Sequence, residues 1–174
     1  SLANFPIAGA QGDWAIPWIS GFLDMGVLVD PLSVFMANIA SGIGFLILVY
    51  SLGYMHHDTD KMRYWFFMLF FIGGMDLLVL ADNLLMTFIG WEIVGLCSYA
   101  LIGFWHKKTS PSPDPRYRSE GDYNAACGMK AFITTRVGDV ALLIAIIIIF
   151  TYAGTFNYIE LTEGGFGWVV ALAN

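Results

Sequence analysis

The stretch Pro31 to Tyr54 (PLSVFMANIASGIGFLILVYSLGY) carries no ionisable group other than its tyrosines. About 20 residues at a 1.5 Å rise cross a hydrocarbon core of about 30 Å, so this run reads as a membrane span. Asp30 stands where an N-cap belongs and Pro31 at the first helical position, which together mark the helix start. Three more runs have the same character: Tyr64 to Leu80, Leu84 to Trp105 and about Ala125 to Tyr152. Phe166 to Ala173 turns apolar again and reads as the start of a fifth helix, too short to cross. The expected fold is an all-α integral membrane protein, with four complete transmembrane helices and a truncated one across residues 31–174.

Composition supports this and excludes several classes. The chain of 174 residues is 57% apolar or aromatic and 13% charged, whereas soluble domains run about 45–50% apolar and about 25% charged. Too little charge is present to cover a water-facing surface. Aromatic content (14 Phe, 8 Tyr, 6 Trp) excludes disorder. Cys97 and Cys127 have no CxxC and no nearby His, so neither a disulfide framework nor a zinc site is suggested. His56, His57 and His106 fall in polar loops and read as solvated interface residues rather than ligands. A net charge of −6 argues against a nucleic-acid partner. No phosphate loop, dinucleotide fingerprint, haem motif or nucleophilic triad is present.

Residues 1–30 form a separate surface segment without Lys or Arg, and without the basic and apolar regions of a signal peptide. From Trp18 to Asp30 loose alternation with Gly21 and Gly26 fits an extended, hairpin-like piece lying on the membrane. Between the spans, Met55 to Arg63 and the proline-bearing His106 to Tyr123 are polar loops, and Ala81-Asp82-Asn83 is a tight turn capping the next helix. Six of the 8 Lys and Arg residues (Lys61, Arg63, Lys107, Lys108, Arg116, Arg118) lie in the first and third loops. The positive-inside rule puts both loops on the cytoplasmic side, or its matrix or stromal equivalent, and the N-terminal segment outside.

The unusual residues are the charges within the spans: Asp76, Glu92, Lys130, Arg136 and Asp139. A charge at a helix centre costs about 2.5–3.5 kcal/mol on insertion scales, so such residues face a bundle interior or water and are functional by default. Glu92, between Trp91 and Ile93, is the deepest. A carboxyl taken out of water loses the hydration that favours its charged form, which suits it to gaining and losing a proton; the alternative is permanent pairing with a cation, as polar glue. Arg136 and Asp139, three apart, share a helix face and either neutralise each other or set the charge state of a proton path. Lys130 either snorkels to the interface or turns inward towards Glu92. Asp76 is close enough to the outer turn to reach interfacial water. Trp65, Trp91, Trp105 and Tyr64 read as belt or packing residues.

Two stretches, VLADNLLMTFIGWEIVGLCSYALIGFW (Val79 to Trp105) and MKAFITTRVGDVALL (Met129 to Leu143), extended by VDPLS (Val29 to Ser33), resemble the antiporter-like large membrane subunit of respiratory complex I. This is the chain L or chain 5 family of proton-translocating NADH:quinone oxidoreductases. The likeness runs from about Trp18 to Leu161 and covers that family's third to sixth helices and the beginning of the seventh, implying a fragment or incomplete chain. By resemblance, Glu92 takes the role of the essential carboxylate of a charged axis, with Lys130, Arg136 and Asp139 beside its proton pathway. The family's partner lysine on the seventh helix, its later central lysine and its lateral helix lie beyond the stretch compared. The Pro-rich Ser110 to Asp122 stretch and Asp76 depart from the family pattern.

The resemblance implies a proton-translocating subunit of an NADH:quinone oxidoreductase-type translocase in the cell inner membrane or an organellar energy-conserving membrane. No cofactor is expected in this chain; flavin, iron–sulfur clusters and quinone are expected in partner subunits. Its partners would be other membrane subunits, lipid and protons. Rival readings are a subunit of a multisubunit Na+/H+ antiporter, of a membrane-bound hydrogenase or of an F420 dehydrogenase complex. A membrane scaffold whose buried charges are static pairs is another, and a soluble enzyme is the most distant.

Overall fold

The computed structural model describes residues 16–19 and 23–163. Most of the N-terminal segment and the helix expected from Phe166 therefore lie outside the described residues. Two short antiparallel strands, β1 (Ile16–Ile19) and β2 (Leu23–Met25), realise the expected hairpin. They precede α1 (Pro31–Tyr54), α2 (Lys61–Leu80), α3 (Leu84–Ile102), α4 (Glu120–Ala153) and the short α5 (Tyr158–Glu163). Helices α1 to α4 are each long and apolar enough to cross a membrane, and the chain is an integral membrane protein.

The first span begins as its sequence requires. The Asp30 carboxylate accepts from the Ser33 backbone N–H at 2.6 Å while Ser33 Oγ accepts from the Asp30 N–H at 2.9 Å, a reciprocal capping box. Asn83, rather than Asp82, caps α3, its side-chain oxygen accepting from Met86 N–H at 2.8 Å. Asp82 instead accepts from the Asn83 amide at 2.7 Å. Three boundaries differ from hydropathy alone. Helix α2 starts at Lys61, because Lys and Arg stems extend a span into the interface. Helix α3 stops at Gly103, short of Trp105. Helix α4 starts at Glu120, five residues before the apolar run: Ser119 accepts from Asp122 N–H, and Glu120 and Asp122 in the first turn favour the helix N-terminus. Its 34 residues span about 50 Å, more than a bilayer core, so its acidic first turns lie outside the hydrocarbon.

Packing buries many small and polar residues beside a few large ones such as Met55, Met86, Phe104 and Ile146, and leaves a wide apolar surface outside. Buried positions include Ser33, Ser51, Asn83, Asp139, Gly74, Gly90 and Gly128, whereas Phe45, Leu46 and Tyr50 of α1 and Val137 of α4 are widely exposed. In water such a surface would aggregate; in a bilayer, close backbone approach between helices is the main source of cohesion. A Cβ on Gly90 would sit 2.7 Å from the backbone nitrogen of Leu78, and one on Gly128 3.1 Å from the Tyr99 carbonyl oxygen. Those contacts fix α2 against α3 and α3 against α4.

Both ends of the bundle are stitched. At one, Leu28 N–H bonds the Leu80 carbonyl, Leu84 N–H the Phe156 carbonyl and Tyr158 N–H the Asp82 carbonyl. Gly26 lies against the Asp82 carboxylate, which would have to move to admit a side chain there. At the other end the first and third loops meet, as an up-and-down bundle requires: Trp105 donates to Asp58 at 2.9 Å, Lys107 pairs with Asp60 at 2.9 Å, and Arg63 donates to His106 Nδ1 at 3.2 Å.

Candidate functional site

The antiparallel run of α3 and α4 brings the middles of the two helices together. Neighbouring residues on α3, Trp91 and Glu92, face Arg136 and Asp139, which lie one turn apart on α4. Arg136 Nη1 is ion-paired with Glu92 Oε2. Asp139 is buried, at 7% exposure, and its Oδ1 accepts a hydrogen bond of 2.9 Å from the Trp91 indole N–H. Its other oxygen lies 3.7 Å from Arg136 Nε, beyond hydrogen-bond distance. Arg136 Nε is buried without an acceptor among the described residues. The guanidinium carbon sits 4.3 Å from the centre of the Phe132 ring, which covers the cation with an aromatic face.

This arrangement holds one permanent cation between two carboxylates. A guanidinium stays charged at any working pH, so any proton exchange here belongs to Glu92 or Asp139. In a low-dielectric setting a bare carboxylate costs more than a paired one. Movement of Arg136 from one acid to the other would therefore change which acid favours holding a proton.

Beside the cluster, α2, α3 and α4 enclose a groove of about 570 Å³. Asp139 and Trp91 line it, and Ser98, Tyr99 and Thr135 continue it towards the end where the loops meet. The Ser98 and Thr135 hydroxyls donate to carbonyls of their own helices, Val94 at 2.8 Å and Phe132 at 2.9 Å. Their oxygens still have lone pairs to offer.

Of the charges singled out in the sequence, the fold brings together Glu92, Arg136 and Asp139. Lys130 is exposed on α4 and makes no ion pair among the described residues; the cation opposite Glu92 is Arg136. Asp76 belongs to the α1–α2 contact, accepting from the Ser41 hydroxyl at 3.0 and 3.2 Å. Trp91, read from sequence as a belt or packing residue, is a polar partner of the cluster. Its position within the span was the available signal, since an indole N–H away from the headgroups needs an acceptor. No cluster of metal-binding side chains occurs among the described residues.

Comparison with known proteins gives a consistent picture. Residues 81–173 match the family described as NADH:quinone oxidoreductase/Mrp antiporter, TM. Residues 18–65 match NADH-Ubiquinone oxidoreductase (complex I), chain 5 N-terminus. NADH-quinone oxidoreductase subunit L of Escherichia coli (strain K12) is 42% identical over 165 residues, covering 93% of this chain and 24% of that protein. Subunit L of Mycobacterium tuberculosis (strain ATCC 25618 / H37Rv) is 39% identical over 142 residues, covering 82% of this chain and 20% of that protein. The chloroplastic NAD(P)H-quinone oxidoreductase subunit 5 of Anthoceros angustus is 37% identical over 157 residues, covering 88% and 19% respectively. The chain thus spans about a quarter or less of the length of these curated relatives.

Proposed function

Because this chain belongs to the NADH:quinone oxidoreductase/Mrp antiporter transmembrane family, we propose that it is part of a proton-translocating, antiporter-like subunit of a quinone-reducing respiratory-type complex. The relatives named above are all NADH-quinone or NAD(P)H-quinone oxidoreductase subunits, which favours a redox-driven complex over a stand-alone cation/proton antiporter. Flavin, iron–sulfur and quinone chemistry would belong to partner subunits, and the other membrane subunits would be its neighbours. In this reading the loop-bearing end, residues 55–63 and 106–123, faces the cytoplasm or its organellar equivalent, which its excess of Lys and Arg supports.

The observation that carries this reading is the contact of Arg136 with two acids, Glu92 and Asp139, between two spans. While Arg136 holds Glu92, that carboxylate is stabilised as an anion. When the guanidinium shifts to Asp139, the Glu92 anion loses its counter-ion and takes up a proton relayed from the aqueous side along internal water; return of Arg136 releases it to that water chain. Lys130, nearer the loop-bearing end, is proposed to supply protons to the cluster from that side.

The test is Glu92→Gln in the full-length subunit within its assembled complex, reconstituted in sealed vesicles. Proton pumping and coupled quinone reduction are expected to fall together. Pumping and quinone reduction that both continue at the wild-type rate would overturn the role.

A further inference from the structure

Building on the reading that Arg136 exchanges acids, we propose that Trp91 is the positioning residue that decides which carboxylate holds it. By chain proximity alone Asp139 has the advantage, since it lies one turn away on the same helix. Yet Arg136 is committed to Glu92 across the helix gap, while its Nε, 3.7 Å from Asp139 Oδ2, has no acceptor. The Asp139 carboxylate is restrained from the other side by the indole N–H on its Oδ1 at 2.9 Å. Closing the gap to Nε needs a shift of under about 1 Å, and the Trp91 bond opposes it.

Trp91 and Glu92 are consecutive on α3. The helix that offers Arg136 its acid therefore also holds back the competitor, and any turn or slide of α3 against α4 changes both contacts at once. Packing is a poor alternative account, because the Trp91 side chain is 52% exposed and Phe would retain most of what its ring covers. Removing one hydrogen bond to a charged group shifts such a partition by about ten- to a hundredfold.

The experiment uses the assembled complex in lipid with Trp91→Phe, Asp139→Asn, the double substitution and Glu92→Gln. In Trp91→Phe the structure is expected to show an Asp139 oxygen within about 3 Å of Arg136 Nε and Glu92 released, with pumping reduced. In the double substitution pumping should be no lower than in Asp139→Asn alone, since the competitor is already neutral. Where Trp91→Phe fails to assemble, benzothienylalanine at position 91 keeps the ring shape and removes only the N–H. Arg136 remaining on Glu92 with pumping intact, or penalties that multiply in the double substitution, would overturn the role of Trp91. Loss of pumping in Glu92→Gln alongside a silent Trp91→Phe overturns this inference alone, whereas intact pumping in Glu92→Gln overturns the reading beneath it.

Discussion

Arg136 of α4 reaches across to Glu92 of α3 and leaves Asp139, on its own helix, at 3.7 Å. The cation and the two acids therefore form a unit whose members are not independent. Arg136→Gln leaves two acids facing each other without a counter-charge, and is expected to lower the stability of the assembled subunit by about 2–3 kcal/mol, the scale of one unpaired charge in a membrane. Adding Glu92→Gln removes one of those charges and should recover part of the loss. Protease resistance of the complex in lipid checks both; a double variant weaker than Arg136→Gln alone would contradict the linkage.

The pair Ser41–Asp76 ties α1 to α2 through the hydroxyl and both carboxylate oxygens. Hydrogen bonds between transmembrane helices average about 0.6 kcal/mol in double-substitution cycles. Ser41→Ala and Asp76→Leu should each destabilise by roughly that amount and the pair together by little more. A cycle measured by steric trapping in bilayers reads the coupling energy directly, and a value near zero would count against the contact.

Close backbone approach predicts a sharp contrast between glycines. At Gly90 a methyl group would stand 2.7 to 2.9 Å from backbone and Cβ atoms of Leu78, which cannot swing away, so Gly90→Ala should push α2 from α3 and cost about 1–3 kcal/mol. At Gly73 nothing lies within 4 Å. Gly73→Ala is expected to be neutral or slightly stabilising through helix propensity. Thermal inactivation of the two variants side by side separates the effects.

The loop-bearing end should respond to acid. The Asp60 backbone N–H, and then the Trp105 indole N–H, hold the Asp58 carboxyl below the ordinary carboxylate range. A group depressed in the folded state contributes stability above its unfolded pKa, about 4, and loses it as pH falls through the folded value. Asp114, brought down to about 2 by hydrogen bonds from Arg116, remains charged over most of that interval. The protection of the backbone amides in residues 56–60, taken relative to the intrinsic exchange rate at each pH, is therefore expected to fall as pH drops below about 4. Trp105→Phe should weaken the acid dependence, and protection that stays constant with pH in both proteins would refute it.

Much of this was legible along the chain. The Asp30–Pro31 start, the Asn83 cap, four apolar runs and the depth of Glu92, Arg136 and Asp139 all follow from local composition. The start of α4 was not, because the polar residues from Glu120 to Asn124 resemble a loop unless the Ser119 cap is weighed against them. Nor was α5, whose surroundings are polar and whose first turn leans on Asn157, the acceptor for Ile159 N–H at 2.9 Å.

Partnership between helices is a different kind of information. Sequence set which charges lie in the spans, because hydropathy and capping act within a few residues of each other. It left open whether Lys130 or Arg136 meets Glu92, whether Trp91 serves as packing or as a donor, and whether Asp76 faces water or Ser41. Those choices depend on how each helix is rotated and slid against its neighbours. Helices that are apolar all round carry no polar stripe to mark an inner face. Rotation and register were decided only in the assembled bundle, where Gly90 and Gly128 let backbones touch, Gly74 makes room for the Ile93 side chain, and together they fix which side chains come within reach.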